Sequence, residues 1–372
     1  MLNLFRILLL GVSLLAAAGA TVAQDKWVIG QSAPLTGGNA KFGIDIRDGA
    51  KAYIDSVNSS GGVQGRQIEL ITLDDKNDRK TAGANTKTLL ENKNLVALFG
   101  YASATLSLDA IPQAETKEVA FFAPFSGANP VRGKSPVLFT ARASYGEEME
   151  KILNFWTSLG LKKVTVVHYD DEVGKQNLEV VTQYLKKVNL EPKAFSLKRN
   201  ATIGKPDIDA LVAQQPEVVL NTVLSGAAAD LQKGLVGMGR MVPMSSISFI
   251  GADQFVKAVG EAGAGVSITQ VVPNPTAQIP VVRECAKALE ASGVKVAMNT
   301  THLEACFAAK ILVEGLRRAK APVTAKSVLE ALNNLGSYDL GGHKVAYSPG
   351  NHHGSQFVEM ARVTRDGRLL TR

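Results

Sequence analysis

The chain has 372 residues, 45% hydrophobic and 20% charged, with a formal net charge of +7 and two cysteines. That apolar content excludes a disordered chain, and two cysteines exclude a small disulfide scaffold. Lysines and arginines are scattered among acids, and no basic run carries interleaved aromatics, which excludes a nucleic-acid partner despite the basic balance.

Arg6, an apolar run over 7–15 and a small-residue stretch over 16–23 form the pattern of a secretory signal peptide, and Thr21-Val22-Ala23 fits the cleavage rule. The exported chain is expected to begin at Gln24 and to work in the periplasm. A lipoprotein needs a cysteine at its new N-terminus, whereas the cysteines here are Cys285 and Cys306, so a freely diffusing protein is expected. The apolar run is shorter than the roughly 20 residues that span a bilayer.

From Trp27 onward, short apolar strands alternate with amphipathic helices. Strands are predicted at 28–29, 67–73, 96–99, 120–123 and 137–140, with helices over 42–60, 81–91 and 106–117. The pattern restarts after Tyr145: helix 147–157, strand 163–168, helix 177–187, then strands near Phe195, at 218–222 and at 248–250. These alternate with helices 208–213 and 227–236, and a strand over 266–272 ends the run. Helices 280–291, 302–319 and 325–332 and a last strand over 356–363 follow. Two β-α arrays predict an α/β protein with two Rossmann-like lobes, each a mainly parallel sheet flanked by helices. Val282, Cys285, Ala286 and Leu289 share a helical stripe, and Cys306 lies beside Leu303 and Phe307 on the next helix. A disulfide between the two cysteines and two buried thiols both fit that placement.

Catalytic and metal signals are weak. The histidines (His168, His302, His343, His352 and His353) form no HExxH, and the cysteines no CxxC, so no metal and no cofactor are expected. His352-His353 follows Pro349-Gly350-Asn351 and reads as a solvated loop. Ser103 lacks the second glycine of a nucleophile elbow. Binding signals are better. The loop Tyr101-Ala102-Ser103 follows strand 96–99 and opens a helix, where unpaired N–H groups and a serine hydroxyl would hold a carboxylate. Capping of that helix by Ser103 or Thr105 is an equal alternative. Ser126 and Gly127 offer a second hydroxyl and N–H after strand 120–123, or an ordinary turn.

These loops resemble the branched-chain amino-acid-binding proteins of bacterial ABC importers. So do Gly30 to Gly37, Ala40-Lys41-Phe42-Gly43, the NSSGGVQG run over 58–65, Asp74-Asp75, Phe139 to Tyr145, Gly174, Gly251-Ala252-Asp253 and Tyr347-Ser348-Pro349. The resemblance implies the type I periplasmic binding fold. Lobe 1 would comprise 24–142 plus 273–343, and lobe 2 would comprise 143–272 plus 344–372. Three hinge crossings are placed near 141–144, 270–273 and 342–347. It further implies that a small ligand stabilises a closed cleft, which the membrane permease subunits recognise. By motif position, Ala102, Ser103, Ser126 and Gly127 match the carboxylate-holding loops, with Tyr101 beside them. Phe42 matches a position where an aromatic ring lines the pocket, and Asp253 one that holds the ligand's ammonium, with a helix cap as its alternative. Tyr145 and Ser225 join them as residues at strand ends facing the cleft. Val173 stands before Gly174 where the family usually carries an aromatic residue, and Phe125 replaces a small one, so the side-chain pocket is reshaped while the carboxylate end is kept. The implied function is capture of an amino acid or related small carboxylate, aromatic ones included, by a monomer that is not an enzyme. A ligand-sensing module of the same fold and an exported hydrolase using His168 near Asp170 are the alternatives.

Overall fold

The computed structural model describes residues 25–199 and 201–371; the signal-peptide expectation over 1–23 and the start at Gln24 lie outside them. The first sheet grows from runs that are buried on both faces. All seven residues of β1 (Trp27–Ala33) are buried, and so are all five of β3 (Leu95–Phe99), as a parallel sheet covered on both sides requires. Between them lie α1 (Ala40–Ser59), β2 (Ile68–Asp74) and α2 (Arg79–Leu90). The chain continues through α3 (Ala104–Thr116), β4 (Ala120–Phe122) and β5 (Leu138–Phe139). The strand order is β2-β1-β3-β4-β5, parallel throughout. Direction reverses between β1 and β3, so a crevice opens at their carboxyl ends.

The second sheet repeats this logic. Its elements are α4 (Tyr145–Ser158), β6 (Val164–Tyr169), α5 (Glu172–Lys187), β7 (Lys193–Leu197), α6 (Lys205–Ala213), β8 (Val218–Asn221), α7 (Ser225–Gly237), β9 (Met244–Ser246), α8 (Ala252–Val259) and β10 (Ser267–Gln270). Segment 248–250, expected as a strand, is a 3-10 turn that ends at left-handed Gly251, φ 69°. The strand lies just before it, at β9.

The chain then returns to the first lobe with α9 (Pro280–Ala291), α10 (Thr300–Arg318) and α11 (Ala325–Asn333). Here α1 and α10 touch because Gly49 has no side chain: a Cβ there would meet the His302 carbonyl oxygen at 2.3 Å. A hairpin of β11 (Gly336–Asp339) and β12 (Lys344–Tyr347) follows, and Val345 and Tyr347 enter the first lobe's core. The third crossing, expected near 342–347, therefore lies later, between Tyr347 and β13 (Glu359–Val363). Lobe-2 membership from residue 344 is corrected accordingly. The alternate residues of β12 bury their side chains against the first lobe, which holds the strand there. Strand β13 runs antiparallel to β10 and carries β14 (Leu369–Thr371), giving the order β14-β13-β10-β9-β8-β6-β7. No described helix is long and apolar enough to cross a membrane.

Cys285 and Cys306 form a disulfide between α9 and α10, with Cα atoms 6.0 Å apart and both side chains buried. The bridge closes a span of 21 residues. Loop entropy then predicts that a Cys285→Ala/Cys306→Ala variant loses about 3 kcal/mol, read as a lower urea midpoint. A midpoint equal to that of the oxidised parent would show that helix packing alone holds α9 in place.

Candidate functional site

The carboxyl ends of both sheets' central strands, where ligands of open α/β sheets bind, carry the residues of interest. On the first lobe, β3 runs through Gly100 into α3. Ser103 is the N-cap of α3, at φ −118° and ψ 134°, yet its side chain makes no capping hydrogen bond. No acidic residue occupies the first turn. The helix start thus presents partial positive charge, free amides and a hydroxyl that no described residue uses. Ala102 is half-buried beside it and packs on the first lobe's core. Phe42, in the first turn of α1, is half-buried and packs edge-on against buried Phe125, with centroids 6.2 Å apart.

Tyr101 is a correction. Its ring is fully buried, 4.8 Å from Phe121, and its hydroxyl lies 2.8 Å from that of Thr86. Even its carbonyl is taken, by the Phe125 N–H. Tyr101 belongs to the core because the left-handed turn at Gly100, φ 64°, swings it under the sheet.

Ser126 and Gly127 meet the first crossing. The Ser126 hydroxyl accepts from the Ala128 N–H and lies 3.4 Å from the Tyr145 hydroxyl. A Cβ at Gly127 would come within 2.7 Å of the Tyr145 N, and the Gly127 carbonyl accepts from that same N–H. Glycine is thus required here by the close approach of the chain. Tyr145 is buried against Phe249, centroids 5.7 Å apart.

The second lobe brings Ser225 and Asp253. Ser225 is half-buried as the first residue of α7, which follows β8 and has no side-chain cap. Asp253 does not cap α8; Gly251 holds that position. The residue is exposed, but neighbouring protein atoms partly screen its carboxyl; that screening, and then the Asp45 carboxylate, hold it above the usual aspartate range, against the pull of Lys41, His302 and Asn299. Asp45 itself is buried. Burial alone would raise it, but His302, Lys41 and Asn299 outweigh burial and hold it low. Asn299 Nδ2 donates to Asp45 at 2.9 Å, and His302 Nε2 lies 3.2 Å from it, out of line for a hydrogen bond. Asp253 from the second lobe therefore faces a polar cluster at the starts of α1 and α10 on the first.

Sequence reasoning missed the polar group that joins the lobes. Arg142, in the first crossing, is buried and contacts Glu148 of the second lobe at 3.1 Å and Glu304 of the first at 3.4 Å. Glu148 is fully satisfied: besides Arg142, it accepts from the Ser248 N–H, the Ser248 hydroxyl and the Thr269 hydroxyl. Glu304 shares the same guanidinium; burial pushes its carboxyl up against the pull of Arg142, and Glu148 adds repulsion. A lone arginine among the small residues of 141–144 is the signal that could have found it. The arginine also lies 5.7 Å from the Tyr145 ring centroid.

His168 is buried in β6, with Nδ1 2.9 Å from the neighbouring Tyr169 carbonyl and Nε2 unpartnered among the described residues. His352 and His353, expected in a solvated loop, are half-buried. One stacks on Phe139 with centroids 4.2 Å apart, and the other lies 3.1 Å from the Thr140 hydroxyl. No group of three metal-ligating side chains occurs among the described residues.

Comparison with known proteins agrees with this architecture. An amino acid binding protein of Pseudomonas aeruginosa is 25% identical over 266 residues, covering 69% of this chain and 70% of the relative. Leu/Ile/Val-binding protein homolog 1 of Brucella abortus is 25% identical over 268 residues, 70% of this chain and 71% of its own. The crystal structure of a substrate-binding periplasmic protein from Ralstonia solanacearum superposes with a TM-score of 0.85 at 27% identity, over 94% of this chain and all of that one. Mainly parallel sheets in two lobes are the type I periplasmic binding fold. The sequence profile described as periplasmic binding protein matches residues 26–368, and the chain belongs to that family.

Proposed function

We propose that this protein captures a small carboxylate, an amino acid or a close relative, between its lobes and hands it to the permease of an ABC importer. The observation that carries the reading is the uncapped start of α3, whose unused Ser103 hydroxyl sits at the end of β3 beside the first sheet's crevice. A carboxylate there completes hydrogen bonds the fold leaves open. Asp253, exposed at the start of α8 and in no ion pair among the described residues, suits an ammonium at the other end of the ligand. Closure then follows from one ligand touching both lobes. The names of the two relatives support the same class of cargo. On this reading the protein acts as a periplasmic monomer after loss of residues 1–23, and it is no enzyme.

Thermal shift and calorimetry against amino acids and organic acids test this. A true ligand at a hundredfold excess over its Kd stabilises the protein by about 2.7 kcal/mol. Ser103→Ala should weaken binding of every carboxylate about tenfold or more, through loss of one charge-assisted hydrogen bond. Asp253→Asn should weaken amino acids but leave simple carboxylates unchanged. If no carboxylate shifts the melting curve, the reading is wrong.

A further inference from the structure

Four aromatic rings stand around the Ser126 loop, and none of them is needed to hold a carboxylate. On the first lobe, Phe42 is half-buried and packs edge-to-face on buried Phe125. On the second, Phe249 is half-buried and packs on buried Tyr145. The Ser126 hydroxyl, next in the chain to Phe125, lies 3.4 Å from the Tyr145 hydroxyl, so the two ring pairs adjoin at the Ser126 loop. Ala104, next to Ser103, and Phe249 both pack against the cluster that holds Tyr145. The rings therefore flank the start of α3. Val173, at the start of α5 after β6, is partly buried on the same cluster.

We infer that the cargo carries an aromatic ring, seated between Phe42 on one lobe and Phe249 on the other; the inference rests on the carboxylate-binding reading above. Each outer ring is backed by a buried one, so it is held in a fixed orientation rather than free to turn aside. Fixed ring edges and faces favour a second π-system over an aliphatic group of equal bulk, because the ring quadrupoles reward edge-to-face and offset contacts. Phe125 and Phe249 are then specificity residues: Phe125 fills the space a branched aliphatic side chain would need, and Phe249 supplies the opposing face.

Matched ligand pairs test this on the intact protein after unfolding and dialysis remove any bound cargo. Phenylalanine is compared with cyclohexylalanine, and 3-phenylpropionate with 3-cyclohexylpropionate, by calorimetry; leucine and valine complete the set. The ring-bearing member of at least one pair should bind about tenfold tighter than its saturated counterpart. Phe249→Leu and Phe42→Leu should erase that preference, bringing the ring-bearing and saturated members of a pair to equal affinity; their melting temperatures establish that they fold. Equal or tighter binding of the saturated or branched compounds overturns the aromatic inference and leaves the carboxylate reading standing. Silence from every compound overturns both.

Discussion

Arg142→Ala should destabilise the protein by roughly 3–5 kcal/mol, the usual cost of leaving buried charge without its partner. Two carboxylates lose their shared cation at once. Glu148 is buried without any exposed side-chain surface, and Glu304 keeps 13% of its own. Glu304→Gln should behave quite differently. It removes the less satisfied of the two acids, whose carboxyl burial already pushes up, so stability should stay within about 1 kcal/mol of the parent. Adding Glu304→Gln to Arg142→Ala should recover part of the loss, because one of the two stranded charges is gone. Guanidinium denaturation of the four proteins measures this cycle. Strict additivity would mean that Arg142 and Glu304 do not share charge across the hinge. The cluster also gives the hinge a physical meaning: one guanidinium in the first crossing ties α4 of the second lobe to α10 of the first.

Acid should weaken the fold through His343. Its ring lies between Phe307, centroids 5.0 Å apart, and Phe357 in the third crossing, at 5.3 Å. Burial pushes its pKa down to about 4, with Asp339 opposing weakly. An unfolded chain protonates this residue below about pH 6.5. The folded protein does not accept the proton until about pH 4. Between those values the unfolded state holds more protons, so stability falls as pH drops through the window, by about 3 kcal/mol in all. Above about pH 6.5 this residue contributes no pH dependence. Denaturation midpoints from about pH 7 to about pH 4 for the parent and for His343→Leu isolate the effect from that of the acids. The parent should lose the extra ~3 kcal/mol and the variant should not. Parallel pH profiles would show that the imidazole is already charged in the folded state or free to reach water.

Much of this architecture is local in origin and can be read from the amino-acid order. Segment 96–99 reads as a strand buried on both faces because its side chains are apolar without alternation. The helix near 42–60 follows from its apolar stripe, and the loop after 96–99 is a candidate binding position because small and hydroxyl residues sit between strand and helix. The shared stripe of Cys285 with Val282 and Leu289 implies that the thiol is buried, but not that Cys306 lies with its Cα 6.0 Å away. Ser103 suits a ligand and a helix cap equally by residue type, and only the structure shows that its hydroxyl makes no cap bond.

Sequence by itself determined most of the stretches that become strands and helices, that they form two lobes with mainly parallel sheets, and where the chain offers amides and hydroxyls. These follow from periodicity and turn chemistry within a few residues. Tertiary structure alone decided that Tyr101 turns inward to Thr86, that the Lys344–Tyr347 strand stays with the first lobe, and that Arg142 meets Glu148 and Glu304. Each of those outcomes depends on partners distant in the chain, whose approach is set by how whole sheets and helices pack, and no local pattern encodes that distance.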